Sequence, residues 1–188
     1  MIKLFVRKIE NIDEAEKQRI IASLSNSARI RLERKQNDHL ALSSLCALSL
    51  LSDLERTDLD YTEGGRPFFK SLDADLSISH SHTYAAVAIS DKKNERVGID
   101  VEGLDIKTEL ALRFFTDNER RQCEIGTHPC EIWTKKEALF KYLKNDGVSF
   151  ISLDSTNPQS YQAGFFSLLS DSALITVCTA VDSEIEII

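Results

Sequence analysis

The chain has 188 residues, 42% hydrophobic and 28% charged, with only 7 Gly and 3 Pro, which suits a folded core and excludes disordered, collagen-like and linker-type chains. Its net charge of −7 argues against nucleic acid as a partner, because nonspecific binding rests on a basic surface that neutralises phosphates. No apolar run reaches the roughly 18 residues of a membrane span, and the charged start MIKLFVRKIENIDEAEK resembles neither a signal nor a transit peptide, so no membrane partner and a cytoplasmic location are expected.

Alternation over 2–9 predicts an opening strand, and apolar periodicity predicts helices over 13–24 and 28–54. The second helix carries Leu42, Leu45, Leu48 and Leu51 beside Cys46 and Leu50, a stripe broad enough to face a core. EGGRPFF at 63–69 reads as a turn, since paired glycines free the backbone and Pro67 fixes one angle. LSIS at 76–79, YAAVAIS at 84–90 and VGIDV at 97–101 read as short antiparallel strands. Helices follow over 106–113, 116–124 and 129–144, and strands over 149–153, 162–169 and 173–179. Two α+β halves meet at the polar tract 91–96, giving expected lobes 1–93 and 94–188.

Cys46, Cys123, Cys130 and Cys178 have no CxxC spacing and read as reduced thiols. Cys123, His128 and Cys130 lack a fourth ligand at a zinc-site spacing. Basic residues gather as Arg29, Arg31, Arg34 and Lys35, as Arg113, Arg120 and Arg121, and as Lys135, Lys136, Lys141 and Lys144. Such patches serve either as solvated helix faces or as seats for a small anion or acidic partner.

Three features can carry chemistry. In VGIDVE at 97–102, strand alternation sets Val97, Ile99 and Val101 on one face and Gly98, Asp100 and Glu102 on the other. Two carboxylates roughly 6–7 Å apart at the backbone either face solvent or converge on a hard cation such as Mg²⁺. Gly98 beside them leaves room for a ligand or another backbone. In WTKKEALFKYLK at 133–144, helical spacing stacks Trp133, Glu137 and Lys141 on one face, while Ile132, Leu139 and Leu143 line another. Glu137 and Lys141 are either a surface pair or a third carboxylate for Mg²⁺ with a phosphate-neutralising lysine. In SISHSHT at 77–83, Ser79, His80 and Ser81 can donate hydrogen bonds to phosphate oxygens, and Arg66 in the preceding rigid turn can add a planar fork.

Taken in order, GRP at 65–67, SISHS at 77–81, VGIDVE, FFTDNE at 114–119 and WTKKEALFK at 133–141 resemble the 4'-phosphopantetheinyl transferases, in their two-lobed, Sfp-type branch. The resemblance spans about 65–144 and implies a monomer of two α+β lobes related by a pseudo-twofold axis, with coenzyme A in the cleft. It implies transfer of the phosphopantetheine arm of coenzyme A to a serine of an apo acyl or peptidyl carrier protein, releasing adenosine 3',5'-bisphosphate. Carried over by position, Asp100, Glu102 and Glu137 would hold Mg²⁺; His80 and Ser79 the pyrophosphate; Arg66 a phosphate or adenine edge; and Lys141 the transferring phosphate. Glu137 or a metal-activated water would take the serine proton. One departure is plain: where the family's first-lobe helix usually carries an arginine for the 3'-phosphate, QNDHLALSS offers Leu40, with Arg34, Lys35 and His39 as possible substitutes. The alternatives are a Mg²⁺-dependent pyrophosphate hydrolase and a noncatalytic module that binds coenzyme A or a carrier.

Overall fold

The structure is a computed structural model that describes residues 1–35, 37–92, 95–144 and 147–188. The expected lobe boundary at 93/94 falls outside the described residues. Strand β1 (Ile2–Lys8) is followed by helices α1 (Glu14–Ser23), α2 (Asn26–Glu33), α3 (Asp38–Ser49) and α4 (Asp53–Asp58). The single helix expected over 28–54 is therefore broken twice. The Asn37 side chain caps α3 by accepting from the His39 amide, and Ser52 forms a capping box with Glu55 at the start of α4. Short polar side chains that bond the backbone offer a new helix start, and here that outcompetes continuation of the old one.

Of the turn expected over 63–69, only 63–66 lies in the tip of a hairpin between β2 (Leu59–Tyr61) and β3 (Pro67–Phe69); 67–69 is strand, which propensity alone did not reveal. Gly65 sits at φ +82°, a left-handed angle that a Cβ disfavours. The chain continues through β4 (Leu76–His80), β5 (Tyr84–Ser90), β6 (Gly98–Gly103), α5 (Thr108–Ala111), α6 (Asp117–Glu124) and α7 (Pro129–Tyr142). It ends with β7 (Ala163–Ser170), β8 (Ala173–Ala180) and β9 (Ile185–Ile187). The strand expected over 149–153 is a 3₁₀ turn, Phe150–Ser152. Phe150 is drawn into an edge-to-face cluster with Trp133 at 5.7 Å and Phe140 at 5.2 Å, and tertiary aromatic packing overrides a marginal local β preference.

Besides the two-stranded β2–β3 pair, two larger sheets form among the described residues, ordered β4-β5-β1-β9 and β6-β8-β7. They pack face to face: Ile2, Leu4, Tyr84, Ala86 and Ala88 from the first meet Val97, Ile99, Val101, Ile175 and Val177 from the second. The other face of the first sheet is covered by α1–α4 through Leu24, Leu45, Leu48, Val87 and Ile89. The other face of the second is covered by α7 through Ala138, Leu139, Tyr142 and Cys178. The protein is a mixed α+β fold layered helix, sheet, sheet, helix. Sandwiched β5 is buried at every position, so its sequence reads as a continuous apolar run rather than an alternation. Strand β9 runs parallel to β1, pairing Ile185 with Ile2 and Ile187 with Leu4, so the second half of the chain lends a strand to the sheet of the first.

Helices α6 and α7 are joined by Glu119 and Lys136, both fully buried, with Nζ 2.7 Å from Oε2. Lys136 also donates to the Leu153 carbonyl, and Glu119 accepts from Ser155 and the Thr116 amide. All four cysteines are free thiols. His128 caps α7 with Nδ1 accepting from the Cys130 amide, and Cys130 donates to the Gly103 carbonyl. Among the described residues no helix is long and apolar enough to cross a membrane.

Candidate active site

The site begins with the face of β6 turned away from the sheet-on-sheet core. Val97, Ile99 and Val101 enter that core, which leaves Gly98, Asp100 and Glu102 facing α7, as strand alternation requires. A methyl group at Gly98 would fall inside contact distance of the Ala138 carbonyl and 2.5 Å from Tyr142 N. The room that the glycine leaves is therefore filled by the backbone of α7. That close approach brings Lys141 Nζ to 2.8 Å from Asp100 Oδ1, 2.9 Å from the Ile99 carbonyl and 3.2 Å from Ser79 Oγ. Ser79 Oγ in turn donates to Asp100 Oδ1 at 2.9 Å. Asp100, Ser79 and Lys141, predicted separately from three motifs, thus stand in one hydrogen-bonded group.

Strand β6 is the edge of its sheet and β4 the edge of the other, and side chains close the gap between them. Alternate residues of β6 turn their peptide groups to the free edge. The Val97 amide donates to Asp75 Oδ2 at 3.0 Å and the Ile99 amide to Ser77 Oγ at 3.1 Å. The Val97 carbonyl accepts from Arg66 at 3.2 Å and the Ile99 carbonyl from Lys141. Arg66, expected on a phosphate or adenine edge of the ligand, here pairs with Asp75 at 2.9 Å and also donates to the Lys141 carbonyl.

Three carboxylates influence one another at the α7 face. Burial first, and then the charges of Asp100 and Glu137, push the Glu102 carboxyl up to about 7, against a smaller lowering by a hydrogen bond from Trp133 and by Lys141. Burial and Asp100 also raise Glu137, opposed by Lys141. Asp100 Oδ2 is buried without a hydrogen-bond partner, an arrangement that costs free energy unless a proton donor or cation meets it. Among the described residues no three His, Cys, Asp or Glu side chains are already gathered at metal-holding positions. The donor set of three carboxylates, one with an orphaned buried oxygen, nevertheless matches the oxygen preference of Mg²⁺.

Two cavities meet at His80. The smaller, about 240 Å³, is lined by Arg31, Lys35, Tyr61, Pro67, Ser79 and His80 among others. Arg31 stacks over the Tyr61 ring at 4.7 Å, and burial together with Arg31 lowers the Lys35 ammonium; two neighbouring cations in a concave lining favour an anion there. The larger, about 830 Å³, runs past His39, Leu40, His80 and Glu102 to Leu104, Ile106, Leu110 and Trp133. Burial first, then Lys35, lower the His80 imidazole. His82 Nδ1 lies 3.0 Å from His39 Nε2 on the cavity rim. Of the residues weighed for the Leu40 position, Lys35 lines the smaller cavity and His39 the larger. Asp75 escaped the sequence reading, and Ser77 entered it only as part of the SISHS motif: an aspartate in LDADLS and a serine in a strand carry no local signal of a partner more than twenty residues away.

Residues 96–183 match the family model of the 4'-phosphopantetheinyl transferase superfamily. A putative 4'-phosphopantetheinyl transferase of Haemophilus influenzae is 31% identical over 153 residues, which cover 76% of this chain and 64% of that relative. The 4'-phosphopantetheinyl transferase AcpT of Salmonella typhimurium is 29% identical over 131 residues, 65% of this chain and 67% of that relative. VGIDVE, FFTDNE and WTKKEALFK all lie inside the matched segment, where Asp100 and Lys141 are joined in space, so over residues 96–183 the chain is similar to the 4'-phosphopantetheinyl transferase superfamily, and it spans just under two thirds of the length of the Haemophilus relative.

Proposed function

We propose that this chain transfers the 4'-phosphopantetheine arm of coenzyme A to a serine of an apo acyl or peptidyl carrier protein, as a cytoplasmic monomer of two lobes, 1–93 and 94–188. The observation that carries this reading is the Lys141–Asp100–Ser79 group, with an orphaned Asp100 oxygen, beside the meeting point of a cationic cavity and a larger, partly apolar one. The adenosine bisphosphate end fits the smaller cavity, where Arg31 and Lys35 supply positive charge and Tyr61 and Pro67 supply apolar surface. The pantetheine arm and the incoming serine fit the larger one, along Trp133, Leu104, Ile106 and Leu110.

Asp100, Glu102 and Glu137 would hold Mg²⁺, which when bound neutralises pyrophosphate charge. Ser79 and His80 donate hydrogen bonds to the pyrophosphate oxygens, and Lys141 balances charge on the transferring group; with its pKa lowered by burial, His80 does this as a neutral donor. The serine oxygen forms a bond to the phosphorus that carries the pantetheine. The bond to the bridging oxygen breaks, and adenosine 3',5'-bisphosphate leaves with that oxygen. Glu137, whose affinity for a proton is raised by burial and Asp100, takes the serine proton.

The test is incubation with coenzyme A, Mg²⁺ and several apo carriers, followed by mass spectrometry of carrier and nucleotide. Carriers heavier by one phosphopantetheine arm support the proposal. Cleavage of coenzyme A with unmodified carriers would make the protein a hydrolase, and bound but intact coenzyme A would make it a binding module.

A further inference from the structure

The free edge of β6 is closed by four side chains, and three of them, Arg66, Ser77 and Lys141, belong to motifs already discussed. Arg66 and Asp75 are bonded to each other and to the backbone of both β6 and α7. Their ion pair is 2.9 Å long with side chains only 17% and 12% exposed. Asp75 Oδ2 also receives the Val97 amide at 3.0 Å, and Oδ1 lies 3.2 Å from Lys144 Nζ. Arg66 donates both to the Val97 carbonyl and to the carbonyl of Lys141 itself. One pair of residues thus joins the β2–β3 hairpin, the entry to β4, the start of β6 and the last turn of α7.

We infer that Arg66 and Asp75 are positioning residues for transfer: they clamp the last turn of α7 onto the edge of β6 and so fix where the Lys141 ammonium stands. This rests on the proposed reaction and assigns Arg66 a role different from the ligand contact that its GRP motif implies. The Lys141 carbonyl, in the last turn of α7, already accepts from the Lys144 amide at 3.2 Å, and Arg66 adds a charged second donor to it. The geometry favours the clamp because this carbonyl belongs to the residue whose side chain must reach Asp100. A strand edge left uncapped would expose the Val97 peptide group to water, and β6 and α7 would lose the tie that holds them to the first sheet at this point. Lys141 has a long, rotamer-rich stem, so a shift of its backbone is transmitted directly to Nζ, and a displacement near 1 Å at a reacting centre lowers rates about a hundredfold.

The test compares Arg66→Ala, Arg66→Lys and Asp75→Asn with the parent protein in steady-state transfer, and follows amide exchange of the last α7 turn and of Val97–Ile99 on the protein alone. A clamp predicts that Asp75→Asn, which lines neither cavity, reproduces the Arg66→Ala defect, with kcat lower by about tenfold or more and the coenzyme A KM changed by less than about twofold. It also predicts that the double variant Arg66→Ala/Asp75→Asn is no worse than either single change, and that exchange quickens in both segments without substrate. Should Arg66→Ala not fold, Arg66→Lys, which keeps the charge but not the fork, carries the same comparison. A rise in coenzyme A KM at unchanged kcat for the Arg66 variants, with Asp75→Asn silent, would overturn the inference and make Arg66 a ligand contact. Unchanged kinetics in all variants would overturn it as well. Because the exchange measurement needs no substrate, it stands apart from failure of the transfer reading itself.

Discussion

Lys141 Nζ on α7 lies 2.8 Å from Asp100 Oδ1 on β6, while the neighbouring oxygen, Oδ2, is buried with no partner. The site thus neutralises one half of a carboxylate with a lysine and leaves the other half unpaired. Replacement of Lys141 by Met should therefore destabilise the protein by about 1–3 kcal/mol, because it strands a buried charge. Asp100→Asn in the Lys141→Met background should recover part of that loss. Urea denaturation of the four proteins measures the coupling, and strict additivity would contradict the pairing.

Glu102 gives the protein a pH signature. Its carboxyl is raised from an ordinary 4.5 to about 7, mainly by burial, so the folded state holds a proton that the unfolded chain releases. Relative stability is fully present below pH 4.5 and is lost as pH rises through about 7. Thermal denaturation of the metal-free protein should therefore show this decline, and Glu102→Gln should flatten it. If Mg²⁺ displaces the same proton, its half-saturating concentration should rise as pH falls below about 7 in the parent protein and much less in Glu102→Gln.

Gly98 sets the distance between β6 and α7. Gly98→Ala forces a methyl group against the Ala138 carbonyl and Tyr142 N and should destabilise by about 1–3 kcal/mol through overpacking. Transfer should fall further than stability, since the displaced helix carries both Glu137 and Lys141. Gly164→Ala, whose methyl would meet only ordinary contact at 3.6 Å from Val181, should leave both nearly unchanged. Equal effects at the two glycines would remove the spacing argument.

The buried Lys136–Glu119 pair makes a separate prediction for stability. Lys136→Met leaves Glu119 charged at zero exposure and should cost about 3–5 kcal/mol. Adding Glu119→Gln, which removes the charge and keeps one acceptor oxygen for Ser155 at the cost of the bond from the Thr116 amide, should restore part of it. Calorimetry would show the double variant melting above Lys136→Met alone.

Features set by short-range periodicity were legible in the sequence. VGIDVE alternates, and its acids do face one side of β6; the four-residue spacing from Trp133 to Glu137 to Lys141 does stack one face of α7, with Ile132 and Leu139 buried on another. Backbone geometry alone dictates both results. The breaks around α3 were readable in principle from Asn37 and Ser52, because capping is also local. The tertiary structure alone decided what depended on partners far along the chain. Phe150 left its expected strand for Trp133 and Phe140, β9 paired with β1 from the opposite end of the chain, and Arg66 turned to Asp75, Val97 and Lys141. In each case the deciding energy comes from groups that meet only after chain folding: an aromatic cluster, an unpaired strand edge, a largely buried ion pair. A side chain records what it can bond to, and the fold selects which of those partners comes within reach.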